Sequence, residues 1–228
     1  MPYCCARSSL YARAIDIVGG KSCVIANNTI TGIGIDLLPF THSAAINVGG
    51  GSSNRITNNS MTNNVCDICF TVTNNNFIVG NSIADGKEFW GASNNTIYHN
   101  NFVRGNQFYI DNYNSASSSG NVWDAGYPLG GNCWGDYLEK YPNATEIDSL
   151  GIGNTAYVSK ILWWLPDYPV NDRYPLMEPY TEATYLLQTP PPKIVLLNQT
   201  VTGSNVSLAF TVTRLLTGWA TAWMGSRT

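Results

Sequence analysis

The stretch Asn54–Asn64, NRITNNSMTNN, decides the fold. It holds five asparagines in eleven residues and only two apolar side chains, Ile56 and Met61, set five apart. The same spacing recurs at Ile25/Ile30 in VIANNTI, Ile78/Ile83 in FIVGNSI and Ile97/Phe102 in TIYHNNF. In each unit the residue three past the first apolar anchor is Asn: Asn28, Asn59, Asn81 and Asn100. Eight residues before each anchor stand Ile17, Val48, Phe70 and Phe89. Ten before stand Ile15, Ile46, Ile68 and then Lys87, which breaks the apolar row. An imperfect repeat of about twenty residues indicates a stacked, one-dimensional architecture. The longest gap between anchors places an inserted loop around Leu37–Ser43 (LLPFTHS).

Inside each unit, AIDIV, AINV, DICF and QFYI alternate with period two, the signature of strands with one buried face. About three short strands per unit, separated by Asn/Gly/Ser turns, predict an all-β fold: a parallel β-helix spanning residues 14–115. Asn at a fixed turn position tolerates left-handed backbone angles and bonds local backbone. Stacking sets equivalent residues ~4.8 Å apart, so the amides can form a ladder.

Composition bounds the function. Charged residues are 12% of the chain and the net charge is -3, so with no basic run nucleic acid is not an expected partner. No apolar run reaches the 18 or so residues that a membrane span requires. The opening MPYCCARSSLYAR lacks the apolar core of a signal peptide. Residues 1–13 read as a disordered or incomplete N-terminus, and the chain as part of a longer protein. The pair Cys66/Cys69 in CDIC has no second CxxC, and three-residue spacing on a strand sends the two sulfurs to opposite faces. Buried or half-buried free thiols are the expectation.

After Ser119 the character changes. GNVWDAGYPLGGNCWGDY (Gly120–Tyr137), IDSLGIGNTAYV (Ile147–Val158) and DRYPLMEP (Asp172–Pro179) form a Trp-, Gly- and Pro-rich segment, 116–180. This segment, with the N-x-I turns before it, resembles the closing part of the archaeal and bacterial NosD-like, right-handed parallel β-helix surface proteins. Trp123, Asp124, Gly126, Pro128, Gly130, Gly131, Asn132, Trp134, Asp136 and Tyr137 fit that pattern; Cys133, Asn154 and Ala156 depart from it. The resemblance implies a right-handed solenoid and an extracellular, cell-surface or periplasmic setting. Residues 181–192, with QTPPP, read as a stiff linker. Two alternating strands in 193–228 read as the opening of a partial, immunoglobulin-like β-sandwich.

The outward positions of the first strand in each unit are Asp16, Asn47, Cys69, Glu88 and Tyr109, with Asp67 two residues before Cys69. Asp67 and Glu88 are the candidate catalytic pair: an expected separation of ~8 Å suits an inverting glycosidase. Asp16, Asn47, Trp90, Tyr109, Trp123 and Trp134 are candidate carbohydrate-binding residues, the two tryptophans alternatively plugging the end of the helix. No cofactor is expected. Asp124, Asp136 and Asp148 could gather Ca²⁺, but their spacing matches no ligand pattern. A polysaccharide or cell-surface glycan is the expected partner. Binding or structural presentation is the leading reading; glycoside hydrolysis or lysis, and NosD-like copper handling, are the alternatives.

Overall fold

The computed structural model describes residues 12–34, 43–105, 108–111, 119–147, 149–159, 170–181, 194–202 and 205–212. The chain divides into two units, Met1–Glu182 and Ala183–Thr228.

The first unit is built from three parallel sheets, followed by two short antiparallel pairs, β15 (Glu146–Ile147) with β16 (Ile152–Gly153) and β17 (Tyr157–Ser159) with β18 (Val170–Asp172). The first contains β1 (Arg13–Val18), β4 (Ala44–Gly49), β7 (Cys66–Thr71), β10 (Gly86–Trp90) and β13 (Phe108–Asp111). The second contains β2 (Val24–Ala26), β5 (Arg55–Thr57), β8 (Phe77–Val79) and β11 (Thr96–Tyr98). The third contains β3 (Thr29–Thr31), β6 (Ser60–Thr62), β9 (Ser82–Ile83), β12 (Asn101–Phe102) and β14 (Cys133–Trp134). Each strand pairs in parallel with its counterpart one coil on, which is the connectivity of a parallel β-helix. Parallel pairing continues past residue 115: Thr96 bridges Val122, and β12 pairs with β14.

The apolar rows stack as their spacing predicts. Ile25, Ile56, Ile78 and Ile97 are mutual register partners, as are Ile30, Met61, Ile83, Phe102 and Trp134. All nine belong to one core cluster. No single coil could bury such a face; stacking does so.

Two asparagine ladders flank this core. In the first, each Nδ2 donates to the Oδ1 of the next coil: Asn28 to Asn59 (2.9 Å), Asn59 to Asn81 (3.0 Å), Asn81 to Asn100 (2.9 Å) and Asn100 to Asn132 (3.0 Å). The second, two residues before each anchor, runs Asn54 to Asn76 to Asn95 to Asn121. The residue preceding each of the first four ladder asparagines is left-handed: Asn27 (φ 60°), Asn58 (φ 56°), Gly80 (φ 73°) and His99 (φ 57°). Asn tolerates that conformation, which explains its doubling in the NN pairs.

The row that Lys87 interrupts on paper is continuous in space. Ile15, Ile46, Ile68 and Lys87 are register partners, so the lysine points into the helix and is 1% exposed. Its Nζ lies 5.5 Å from the centre of the Phe102 ring. Burial pulls its ammonium down to about 8, against the attraction of Asp67, Asp85 and Asp136.

Aromatic rings close the C-terminal end. Trp134 stacks between Phe102 (4.4 Å) and Tyr157 (4.1 Å), and Trp123 packs on Phe89 (5.7 Å). Asp172, on the short strand β18 (Val170–Asp172), terminates the first ladder. Its Oδ2 accepts from Asn132 N (2.7 Å) and Trp134 Nε1 (2.9 Å), and its Oδ1 from Tyr174 N (3.1 Å). A ladder whose last amides are donors ends naturally on a carboxylate.

In the second unit, β19 (Ile194–Thr202) and β20 (Asn205–Val212) pair antiparallel as a hairpin. The closing stretch from residue 213 lies outside the described residues, as do residues 37–42 of the expected loop.

Candidate functional site

The expected outward row of the first sheet holds in register: Asp16, Asn47, Cys69, Glu88 and Tyr109 are successive partners across four strand pairs. Its exposure is uneven. Asp16 is exposed, Asn47 and Cys69 are each 3% exposed, and Glu88 and Trp90 are half-buried. The Tyr109 side chain lies outside the described residues.

Local bonds tie this row together. Asp16 accepts from Arg13 Nη1 (3.0 Å) and Asn47 Nδ2 (2.7 Å). Cys69 Sγ donates to Glu88 Oε2 at 3.6 Å. Burial, then the Glu88 charge, pushes the Cys69 thiol up to about 12, so it is not a thiolate nucleophile near neutral pH. With Asn47 and Cys69 enclosed, the row is not an open groove across its middle coils.

Asp67 departs from the expectation. It is fully buried rather than outward. Cys66 pairs with Gly86 but Ile68 with Lys87, so Asp67 is the extra residue of an irregularity in the β7–β10 pairing. There strict alternation fails. Its Oδ2 accepts from the amides of Ala84 and Asp85 (both 2.7 Å), and its Oδ1 from Asn64 Nδ2 (2.8 Å). Burial raises the carboxyl's pKa while these donors oppose the rise. The group fastens the turn before β10 and presents no free face to a substrate beside Glu88. The same irregularity corrects the cysteine expectation: Cys66 and Cys69 join Ala44 in one small cluster, not opposite faces. Cys23, Cys66, Cys69 and Cys133 are free.

Trp123 and Trp134 are 4% and 2% exposed. As the end plug they offer no stacking face to a sugar, which corrects their assignment as binding residues. Asp124 Oδ1 and Oδ2 accept from Arg173 Nη2 (2.7 Å) and Nε (3.0 Å). Burial pushes the Asp124 carboxyl up, but the Arg173 bonds and charge outweigh it and hold it below the ordinary range. Both Asp136 oxygens lie within hydrogen-bond reach of the Tyr157 hydroxyl. Asp148 lies outside the described residues. Among the described residues no group of three or more His, Cys, Asp or Glu is placed to hold a metal ion, and no helix is long and apolar enough to cross a membrane.

The second sheet also presents outward side chains. Its outward positions form two rows in register: Val24, Arg55, Phe77 and Thr96; and Ala26, Thr57, Val79 and Tyr98. Val24 is 66% and Phe77 40% exposed, Arg55 is exposed, and Thr57, Val79 and Tyr98 are half-buried. The Arg55 guanidinium lies 5.6 Å from the centre of the Phe77 ring. Sequence reading missed this face because it followed the longer first strands. The signal was present: Phe77 and Tyr98 flank the anchors Ile78 and Ile97, so alternation sends them outward.

A family model described as a right-handed beta helix region matches residues 10–128. No curated protein and no solved structure matches the chain. The matched region takes in the stacked coils from β1 to β13, and the chain belongs to this right-handed β-helix family.

Proposed function

We propose that this β-helix binds an extended polysaccharide at the cell exterior without cleaving it, and that the second-sheet face is its binding surface. One observation carries the reading: exposed Phe77 and half-buried Tyr98 stand outward on adjacent, in-register strands of the second sheet. Neighbouring strands are ~4.8 Å apart, so a polymer lying across the coils meets an outward side chain at each strand. Aromatic faces take the apolar faces of sugar rings, while Thr57 and Thr96 offer hydroxyls for hydrogen bonding. Binding is favoured over turnover because Asp67, the partner that Glu88 needs for acid–base hydrolysis, is enclosed and bonded to backbone amides. The exterior setting rests on the likeness of the Trp/Gly tail to surface proteins.

The test is retention of the full chain on a glycan array. Titration of the retained glycan against wild type, a Phe77→Ala/Tyr98→Ala variant and a Glu88→Ala/Tyr109→Ala variant follows. The first variant loses binding and the second keeps it. Loss only in the second returns the site to the first sheet, and retention of no glycan overturns the reading.

A further inference from the structure

Four N-x-S/T sequons lie in the first unit, beginning at Asn27, Asn58, Asn94 and Asn143. Each sets an amide two residues before a hydroxyl, the acceptor pattern for an N-linked glycan. The fold treats these four in two ways.

In three of them the middle residue is a ladder asparagine. Asn28 donates through its backbone N and its Nδ2 to Asn59 Oδ1. Asn59 in turn donates through Nδ2 to Ile25 O, Thr57 O and Asn81 Oδ1. Asn95 Oδ1 accepts from Asn76 N and Nδ2, and its own Nδ2 donates to Asn121 Oδ1. The acceptor residues Asn27, Asn58 and Asn94 are exposed, but they sit in tight left-handed turns with φ of 60°, 56° and 55°. A Cβ at Gly80 would strike Asn58 Oδ1, and one at Gly120 would strike Asn94 Oδ1, so both amides lie against the next coil. A transferase that draws three consecutive residues into its groove must therefore pull the middle one out of the ladder. That leaves enclosed amide partners unpaired, which is costly.

The Asn143 sequon stands outside the stacked coils, just before β15. Ala144 N donates to Tyr141 O (3.0 Å), which closes a turn with Pro142 and Asn143 at its tip. Asn143 and Thr145 are both exposed, and the middle residue, Ala144, has no polar side chain to release. Thr145 Oγ accepts from Asn154 Nδ2 (2.8 Å), an exposed bond for which water can substitute.

We infer that Asn143 is an N-glycosylation site, the sequon among these four that the folded protein leaves open to a transferase. The donor is an oligosaccharide carried on a polyprenyl pyrophosphate. Asn143 Nδ2 bonds to C1 of the reducing-end sugar as the bond from C1 to the pyrophosphate oxygen breaks. The lipid pyrophosphate departs with that electron pair, and one amide proton passes to a base of the transferase. The inference goes beyond polysaccharide binding, because here the chain itself is the acceptor.

The test incubates the intact, folded chain with a purified single-subunit oligosaccharyltransferase and a polyprenyl-pyrophosphate oligosaccharide. Mass spectrometry of the peptides then reads each sequon. Asn143 gains the glycan, while Asn27, Asn58 and Asn94 stay bare. A protease digest of the same chain, in which no ladder survives, gains it at all four. Asn143→Gln and Thr145→Ala abolish transfer to the turn, and Thr145→Ser keeps it. Asn143 bare in the folded chain overturns the inference, whether or not the digest accepts glycan there. Asn27, Asn58 or Asn94 glycosylated in the folded chain as fully as Asn143 overturns the selection by the ladder, as does a digest that accepts at Asn143 alone. Transfer that survives Thr145→Ala overturns the sequon as what is recognised.

Discussion

Replacing Lys87 by Met tests how the helix tolerates a cation in its interior. Met keeps the length and flexibility of the side chain and removes the charge. Burial lowers the Lys87 ammonium from 10.5 to about 8, net of its attraction to Asp67, Asp85 and Asp136. At 1.36 kcal/mol per pH unit, holding the proton inside costs about 3 kcal/mol at neutral pH. Between pH 8 and 10.5 the unfolded chain binds the proton and the folded chain does not. Wild-type stability therefore rises with pH through that window, and below pH 8 the full cost is present. Urea unfolding at pH 7 should find Lys87→Met more stable than wild type by about 2–3 kcal/mol. That gap should close as the pH approaches 10.5. The difference between the two proteins cancels the other groups that titrate in this range. Destabilisation by Lys87→Met at pH 7, or a gap independent of pH, refutes the reasoning. Either result would mean that the surrounding carboxylates hold the ammonium more strongly than burial opposes it.

Two further outcomes follow from the ladder and its end. Asn81→Ala removes an amide that donates to Asn100 Oδ1 and Ile56 O and accepts from Asn59. It should cost about 1–3 kcal/mol in chemical unfolding, and Asn28→Ala, at the first coil, less. Burial pushes the Asp172 carboxyl up to about 7 against the opposing pull of its hydrogen bonds. Its folded pKa lies above the unfolded value, so its contribution is complete below about pH 4 and is lost as pH rises through 7. Wild type should lose about 2 kcal/mol between pH 5 and 7.5 from this group, and Asp172→Asn should flatten that slope.

Much of the architecture was legible because it depends on spacing. The anchors Ile25, Ile56, Ile78 and Ile97 and the ladder from Asn28 to Asn100 recur at fixed offsets, and stacking converts those offsets directly into contacts. The second ladder escaped because its first-coil position is Cys23, whose backbone amide donates to Asn54 with no side-chain amide to mark the row. Lys87 looked like a break because a charge in an apolar row does not announce which way it points. Asp67 was misplaced because alternation assumes an even strand, and one extra residue in the β7–β10 pairing reverses it locally. For Trp123 and Trp134, an apolar ring with a polar tip suits a plug and a platform equally. What decides is whether Phe102, Tyr157 and Asp172 meet it, and those are contacts between residues distant in sequence. Whether an outward row stays open is similarly long-range: Asn47 and Cys69 occupy the same register row as exposed Asp16, yet they are enclosed.

The first ladder joins residues 31, 22, 19 and 32 positions apart. Coils of unequal length thus return to the same amide-to-amide contact, and surplus residues are carried between the stacked positions. The coil is for that reason a unit of inheritance as well as of packing. Excising the 22 residues from Ser60 to Asn81 joins Asn59 to Ser82, and Asn59 then faces Asn100 as Asn81 does now. Excising the 19 residues from Ser82 to Asn100 likewise leaves Asn81 facing Asn132, whereas a cut that is not a whole coil shifts the join and leaves an amide without its neighbour. Such a chain can gain or lose length in whole turns while its cross-section stays the same.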